Sequence, residues 1–231
     1  RGFRPPNIFD LATLGPRPGN RFNITNTQLD PETVWSYDIG FKKESDKLEF
    51  EAFAFYLDYS DKITSVLTGD VTEDGRDIIQ SENRNKERLY GFETGLYWMA
   101  QDDLRLFAVL NYTHGEEDEG EDATIPADRI PPFNGRAGVE YFFNSDWRIE
   151  PYLLFAARQD RLSPRDVRDS RIDPEGTAGW LTLNLLLDWQ VSESLQVGLR
   201  LENLTDEFYR EHASGIDAAG RNIGLWLNYG F

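Results

Sequence analysis

The chain closes on Ile223-Gly224-Leu225-Trp226-Leu227-Asn228-Tyr229-Gly230-Phe231. Every second residue of this stretch is apolar: Ile223, Leu225, Leu227, Tyr229 and Phe231. The interleaved Gly224, Asn228 and Gly230 are small or polar, with Trp226 the exception. Alternation at period two marks a β-strand whose two faces meet different surroundings. The pattern recurs upstream. Leu195, Val197, Leu199 and Leu201 alternate with Gln196, Gly198, Arg200 and Glu202, and Leu181 to Val191 alternates with Thr182, Asn184, Asp188 and Gln190. In 133–144 and 147–158, apolar residues oppose Arg136, Glu140, Arg148 and Glu150.

Strand follows strand through short polar turns at Glu44-Ser45-Asp46, Gln101-Asp102-Asp103, Asn144-Ser145-Asp146 and Ser192-Glu193-Ser194. Their side chains bond their own backbone readily. The other connections, roughly 68–83, 115–132, 160–176 and 205–218, are long and charged. Tight turns at one end and long loops at the other are the asymmetry of an outer-membrane barrel. Segments at about 34–44, 47–67, 77–100, 104–114, 133–144, 147–160, 177–191, 195–205 and 219–231 count as nine strands.

Composition bounds the alternatives. The 231 residues carry a net charge of −17 and a mean hydropathy of −0.57. No apolar run approaches the roughly 18–20 residues of a membrane helix. Barrel strands escape hydropathy because only alternate residues touch lipid. Absence of cysteine excludes disulfides and thiolate metal sites. The acidic excess argues against a nucleic-acid partner, which needs a basic face. A soluble sandwich alternates as well. Here the polar faces carry both signs of charge in mid-strand, and Phe41, Trp98, Phe143, Trp147, Trp189 and Tyr229 gather beside the turns. Those features predict an all-β, transmembrane antiparallel up-and-down β-barrel. The opening Arg1-Gly2-Phe3-Arg4-Pro5-Pro6, without an initiating Met, reads as a strand end with sequence missing upstream.

Several segments carry a further signal. Gly2-Phe3-Arg4-Pro5-Pro6-Asn7-Ile8-Phe9-Asp10-Leu11 is similar to a FRAP-type segment, with Pro5 where Ala is usual. Leu29-Asp30-Pro31-Glu32-Thr33 and Tyr37-Asp38-Ile39-Gly40-Phe41-Lys42 look like an "LkPE…yEiG" stretch. Ala54-Phe55-Tyr56, Tyr59, Asp61-Lys62-Ile63, Asn83 and Gly91-Phe92-Glu93 follow in order. Arg129-Ile130-Pro131-Pro132, then Glu202-Asn203-Leu204-Thr205-Asp206, Tyr209, Gly220-Arg221 and Phe231, complete the set. Together these segments resemble the TonB-dependent receptors of the Gram-negative outer membrane.

That resemblance implies a roughly 22-stranded barrel around a plug. Residues 1–231 would supply its C-terminal nine or so strands, with the plug domain and N-terminal strands absent. It further implies a transporter driven by the TonB energy-coupling complex, importing a scarce chelate: a ferric siderophore first, haem or cobalamin next. A passive porin-type channel is the alternative. Implied partners are the plug of the same parent chain, outer-membrane lipid and lipopolysaccharide, and the barrel assembly machinery, which would read Leu227, Tyr229 and Phe231. No cofactor and no enzymatic activity are expected.

Candidate residues are few. Arg4, Arg210 and Arg221 near loop ends would meet an anionic siderophore or a haem propionate. His212, close to Tyr209, is the better placed of the only two histidines, the other being His114. The run Glu116-Glu117-Asp118-Glu119-Gly120-Glu121-Asp122 lacks the ligand spacing of a calcium loop and reads as a solvated loop. The mid-strand charges read as cross-strand ion pairs rather than catalytic carboxylates.

Overall fold

Alternating segments with tight polar turns fold as predicted, into antiparallel strands joined to their sequence neighbours. The computed structural model describes residues 1–18, 20–84, 86–118 and 123–230. Phe231 of the proposed assembly signal and residues 119–122 of the acidic run lie outside the described residues. In chain order come β1 (Gly2–Arg4), α1 (Ile8–Ala12), β2 (Gly15–Arg17), β3 (Arg21–Ile24) and β4 (Glu32–Ser45). Next are β5 (Leu48–Ser60), β6 (Lys62–Val71), β7 (Asp77–Arg84), β8 (Glu87–Gln101), β9 (Leu104–Asp118) and β10 (Thr124–Pro126). The rest are β11 (Asn134–Phe142), β12 (Trp147–Ala156), α2 (Pro164–Val167), β13 (Trp180–Ser192), β14 (Leu195–Glu202) and β15 (Asn222–Tyr229).

The larger sheet has the order β1-β4-β5-β8-β9-β11-β12-β13-β14-β15, with β10 pairing on β9. Of its 11 strands, β1 and β10 are only three residues long, which leaves nine long ones. Two expected strands are shorter than their alternation suggested. Segment 47–67 divides at Asp61, whose φ of 58° turns the chain between β5 and β6. Segment 77–100 divides between β7 and β8. The expected loop over 68–83 is mostly strand, and only Thr72–Arg76 turns, closed by the Thr72 N–H on the Arg76 carbonyl at 2.8 Å. Strands β6 and β7 pair with each other and join β2 and β3 in a second sheet, order β2-β3-β7-β6, in which β3 and β7 run parallel. Alternation survives a change of partner, so the sequence pattern alone does not reveal the switch.

Two compact units result. One comprises Arg1–Tyr37, Phe55–Tyr90 and Gly115–Ala127 and holds the four-stranded sheet. The other comprises Asp38–Ala54, Gly91–His114 and the chain from Asp128 on. In this second unit the usual partition of a soluble protein is inverted. Along β13, Leu181 is 51% exposed and Leu183 39%, whereas Thr182 between them is 1% exposed, and Asn184 and Asp188 are buried too. Along β15, Ile223, Leu225, Leu227 and Tyr229 are all exposed, while Gly224 and Trp226 between them are half-buried. Strands that bury polar residues and present leucine outward are built for hydrocarbon. Beside the turns, Trp147 and Trp189 sit opposite one another and stack at 4.9 Å, and Phe143 meets Tyr141 edge-on at 4.7 Å. Phe41, Trp98, Phe143, Trp189 and Tyr229 are exposed, as an interfacial girdle requires.

Glycine at one inward position is set by packing. A Cβ on Gly198 would lie 1.8 Å from the indole of Trp226, which stands directly opposite on β15. The one large residue on the otherwise small face of the last strand thus fills the space its neighbour vacates.

The faces predict a sharp contrast between adjacent positions of one strand. Leu185→Arg places a charge in the hydrocarbon and is expected to destabilise the parent barrel by about 2–4 kcal/mol near the midplane. Leu186→Arg, at the same depth but opposite Glu150 and Arg200 on the polar face, is expected to cost less than half of that. Equilibrium unfolding from phospholipid vesicles measures both, and equal penalties would invert the assignment.

Candidate functional site

Register builds the inward wall of the second unit. Arg105 on β9 stands opposite Glu140 on β11, and Arg148 on β12 stands opposite Asp188 on β13. Arg105 pairs with Glu140, and Arg136 pairs with Glu150. Arg148 is shared: its Nη1 lies 2.8 Å from Glu140 and 3.5 Å from Glu150, while its Nε donates to Asp188 at 3.0 Å. The Arg136 guanidinium also lies 4.1 Å over the Tyr152 ring and 5.0 Å over Phe107. These are the mid-strand charges read from sequence as ion pairs. Glu140 and Glu150 are buried, and each is met by two arginines. Among the described residues, no group of three or more His, Cys, Asp or Glu is placed to hold a metal ion. Such a wall can bind and orient polar surface.

Removing Arg148 strips three carboxylates of a shared cation. Arg148→Met is expected to destabilise the barrel by about 3–5 kcal/mol, as loss of one partner from a buried charge cluster does. Arg148→Lys restores the charge without the fork and is expected to recover only part of this in the same unfolding measurement.

In the first unit the quoted segments meet as clamps. Glu32 accepts from the Arg4 guanidinium at 2.5 Å and from the backbone N–H of Ile63 at 2.6 Å. Arg4 also reaches Asp10 at 2.7 Å, and Asp10 with Asn7 forms a capping box on α1. Asn83 donates to the carbonyls of Asp30 and Asp61, at 2.8 and 2.7 Å, and accepts from the Asp30 N–H at 2.7 Å. Four segments far apart in sequence are thereby joined by one glutamate and one asparagine.

Loops 157–179 and 203–221 of the second unit hold the remaining candidates. Arg129, with φ 56°, donates its N–H to Asp166 at 3.1 Å, and its guanidinium meets Asp169 at 2.5 Å. Ile130 offers its carbonyl to Gln159 at 2.7 Å, so the Arg129-Ile130 segment anchors loop 157–179. Helix α2 begins with a Ser163–Asp166 capping box and Pro164 in its first turn. In loop 203–221 Asn203 is buried in a left-handed conformation, φ 49°. Its amide donates to the carbonyls of Glu207 and Ala219, its Oδ1 accepts from the Glu207 N–H, and its own N–H binds Asn184. Tyr209 stacks on Trp180 at 4.1 Å, and burial pushes its phenol above the ordinary value. Arg210 pairs with Asp217 at 2.6 Å and Arg221 with Asp206 at 2.9 Å. The backbone N–H of Arg221, then its guanidinium, hold the Asp206 carboxyl below the usual range. Thr177 Oγ1 lies 2.9 Å from His212 Nδ1, and burial lowers the His212 pKa. His114 Nδ1 lies 2.8 Å from Arg161. Tyr209 and His212 therefore share one loop with Arg210 and face loop 157–179. Arg4 belongs to the clamp on Glu32.

Sequence reasoning quoted Asn203 and Asn83 as pattern residues without a role. Their signal was an Asn at a loop boundary, a residue type that tolerates left-handed backbone and bonds neighbouring peptides. Asn203→Ala is expected to cost about 1–3 kcal/mol through unpaired peptide groups, read as faster proteolytic cleavage within 203–221.

A sheet that buries charge and exposes leucine, with an aromatic band beside its tight turns, defines an outer-membrane β-barrel. The chain belongs to the TonB-dependent receptor-like β-barrel family, whose model matches residues 1–204. It is 23% identical over 222 residues to the ferric-pyoverdine 358 receptor of Pseudomonas putida, covering 93% of this chain and 26% of that protein. It is 27% identical over 245 residues to the ferric enterobactin receptor PirA of Pseudomonas aeruginosa, covering 94% and 31%. Among solved structures, copper transporter OprC superimposes with a TM-score of 0.80 at 21% identity, over 99% of this chain and 36% of that one. The siderophore receptor PirA from Pseudomonas aeruginosa gives 0.69 at 19% identity, over 99% and 38%. The chain thus spans about a quarter to a third of the curated relatives it matches. The structural likenesses establish the fold. The family is one of outer-membrane receptors and transporters rather than enzymes.

Proposed function

We propose that this chain forms the C-terminal part of the barrel of an active importer, in which a plug from the same parent chain occupies the interior and TonB supplies the work. The favoured cargo is a ferric siderophore, ahead of haem or cobalamin. The observation that carries the reading is the inward wall of mutually paired charges, a polar surface suited to hydrogen-bonding a folded plug. Family membership and relatives named as ferric-pyoverdine and ferric enterobactin receptors support it.

In this reading the strands do no chemistry. They hold an interior and position the loops. Loop 203–221 of the second unit carries Tyr209, Arg210 and His212, with Arg221 at its foot, as proposed ligand contacts; Arg4, in the first unit, is a separate proposed contact. Each arginine already holds a carboxylate. An anionic chelate therefore binds by exchanging one carboxylate partner for ligand oxygen, which favours multiply charged ligands over singly charged ones. The terminal Leu227, Tyr229 and Phe231 are the proposed signal for the assembly machinery, and lipopolysaccharide the proposed outer neighbour.

A strain lacking the parent gene, grown on single ferric siderophores under iron restriction, tests this. Loss of growth on one chelate, and the same loss when TonB is deleted, is the expected result. Uptake that persists without TonB would instead identify a passive channel. Arg210→Ala is expected to weaken binding of the transported chelate by roughly tenfold, the scale of one charge-assisted hydrogen bond, measured by titration of the purified receptor.

A further inference from the structure

We propose that loops 157–179 and 203–221 are held together by a clasp centred on the neutral imidazole of His212, and that acid opens it. The inference is independent of the cargo. One hydrogen-bond contact joins the loops at this point, His212 Nδ1 with Thr177 Oγ1 at 2.9 Å, and beside it Tyr209 stacks on Trp180, the first residue of β13, at 4.1 Å. Farther along, Gly215 lies beside the side chain of Arg171.

Two titratable side chains are left incomplete in the interior of this clasp. His212 Nε2 is buried without a hydrogen-bond partner. So is Oδ1 of Asp166, a residue only 1% exposed. The other oxygen of Asp166 is fixed by the N–H groups of Arg129 and Ser163, at 3.1 and 3.2 Å. That carboxylate is consequently anchored in the first turn of α2. The charged groups facing His212 are Asp166 and Arg129, which act in opposite directions. Nearby, Asp169 is taken by Arg129 and Arg171, and Asp128 by Arg165. Among the described residues no acceptor stands at Nε2, so in either tautomer the imidazolium buries an Nε2–H group with no hydrogen bond.

The sign follows by linkage. Burial depresses the His212 pKa in the closed clasp, and Arg129 reinforces it against the attraction of Asp166. In separated loops the imidazole regains its ordinary value of about 6.5. The open state then binds the proton more tightly, so the clasp is intact above about pH 6.5 and weakens as pH falls below it. At the loop end of an outer-membrane barrel, which faces the exterior, such a device answers to the acidity of the surroundings.

Spin labels on Ser170→Cys and Ile216→Cys in the full-length receptor, reconstituted in lipid nanodiscs, report the distance between the loops. Both positions are exposed, and this chain has no cysteine of its own. The native His212 protein is expected to give a narrow distribution at about pH 8 that broadens and lengthens below about pH 6.5. His212→Gln keeps an amide for Thr177 but does not ionise, and is expected to stay narrow throughout. A native distribution indifferent to pH, or the same transition in His212→Gln, would overturn the proposal. Should His212→Gln be broad already at the higher pH, Thr177→Val decides. A midpoint raised toward the ordinary histidine value supports the clasp, and an unchanged midpoint overturns it.

Discussion

Everything in this structure follows from the behaviour of peptide groups in hydrocarbon. An unpaired N–H or C=O there costs several kcal/mol, so a chain that crosses with strands must pair each with a neighbour. Pairing with sequence neighbours through tight turns is the simplest solution, and β11 to β15 adopt it without exception. Once the backbone is satisfied, the pleat divides side chains between lipid and interior, and the sequence has only to alternate. Leu181 and Leu183 facing outward around a buried Thr182 is the direct result.

The polar interior created by that division brings its own demand. Carboxylates at Glu140, Glu150 and Asp188 are removed from much of the water that would screen them, so each needs a cation. Three arginines supply this, and Arg148 reaches all three acids because its planar fork has donors to spare. Above the strands the requirement shifts from charge to backbone geometry. Left-handed residues such as Asp61, Arg129 and Asn203 redirect the chain, and polar side chains close the freed peptide groups.

This sets what could be read from the sequence. Alternation and turn chemistry are local, so the nine long strands, their sequential pairing and the outward leucines of β13 and β15 were legible. The departure of β6 and β7 into a second sheet was not, because a strand that changes partner keeps its alternation and only the single residue Asp61 marks the turn. The candidate residues show the same limit. Their positions at loop ends could be found, but the partners that define them lie far along the chain: Glu32 for Arg4, 28 residues away, and Thr177 for His212, 35 residues away. The family-like segments prove to be joints of the scaffold. Glu32, Asn83, Arg129 and Asn203 each tie together segments that lie apart along the chain, which is why they announce an architecture and say nothing of its cargo.

The shared arginines have one more consequence. Arg105, Arg136 and Arg148 cancel Glu140, Glu150 and Asp188 within a single patch of the wall. In a chain whose overall charge is −17, this stretch is electrically silent a few ångströms away. A charged group resting against it meets neither a trap nor a repulsive gate, so this part of the wall does not select by sign of charge.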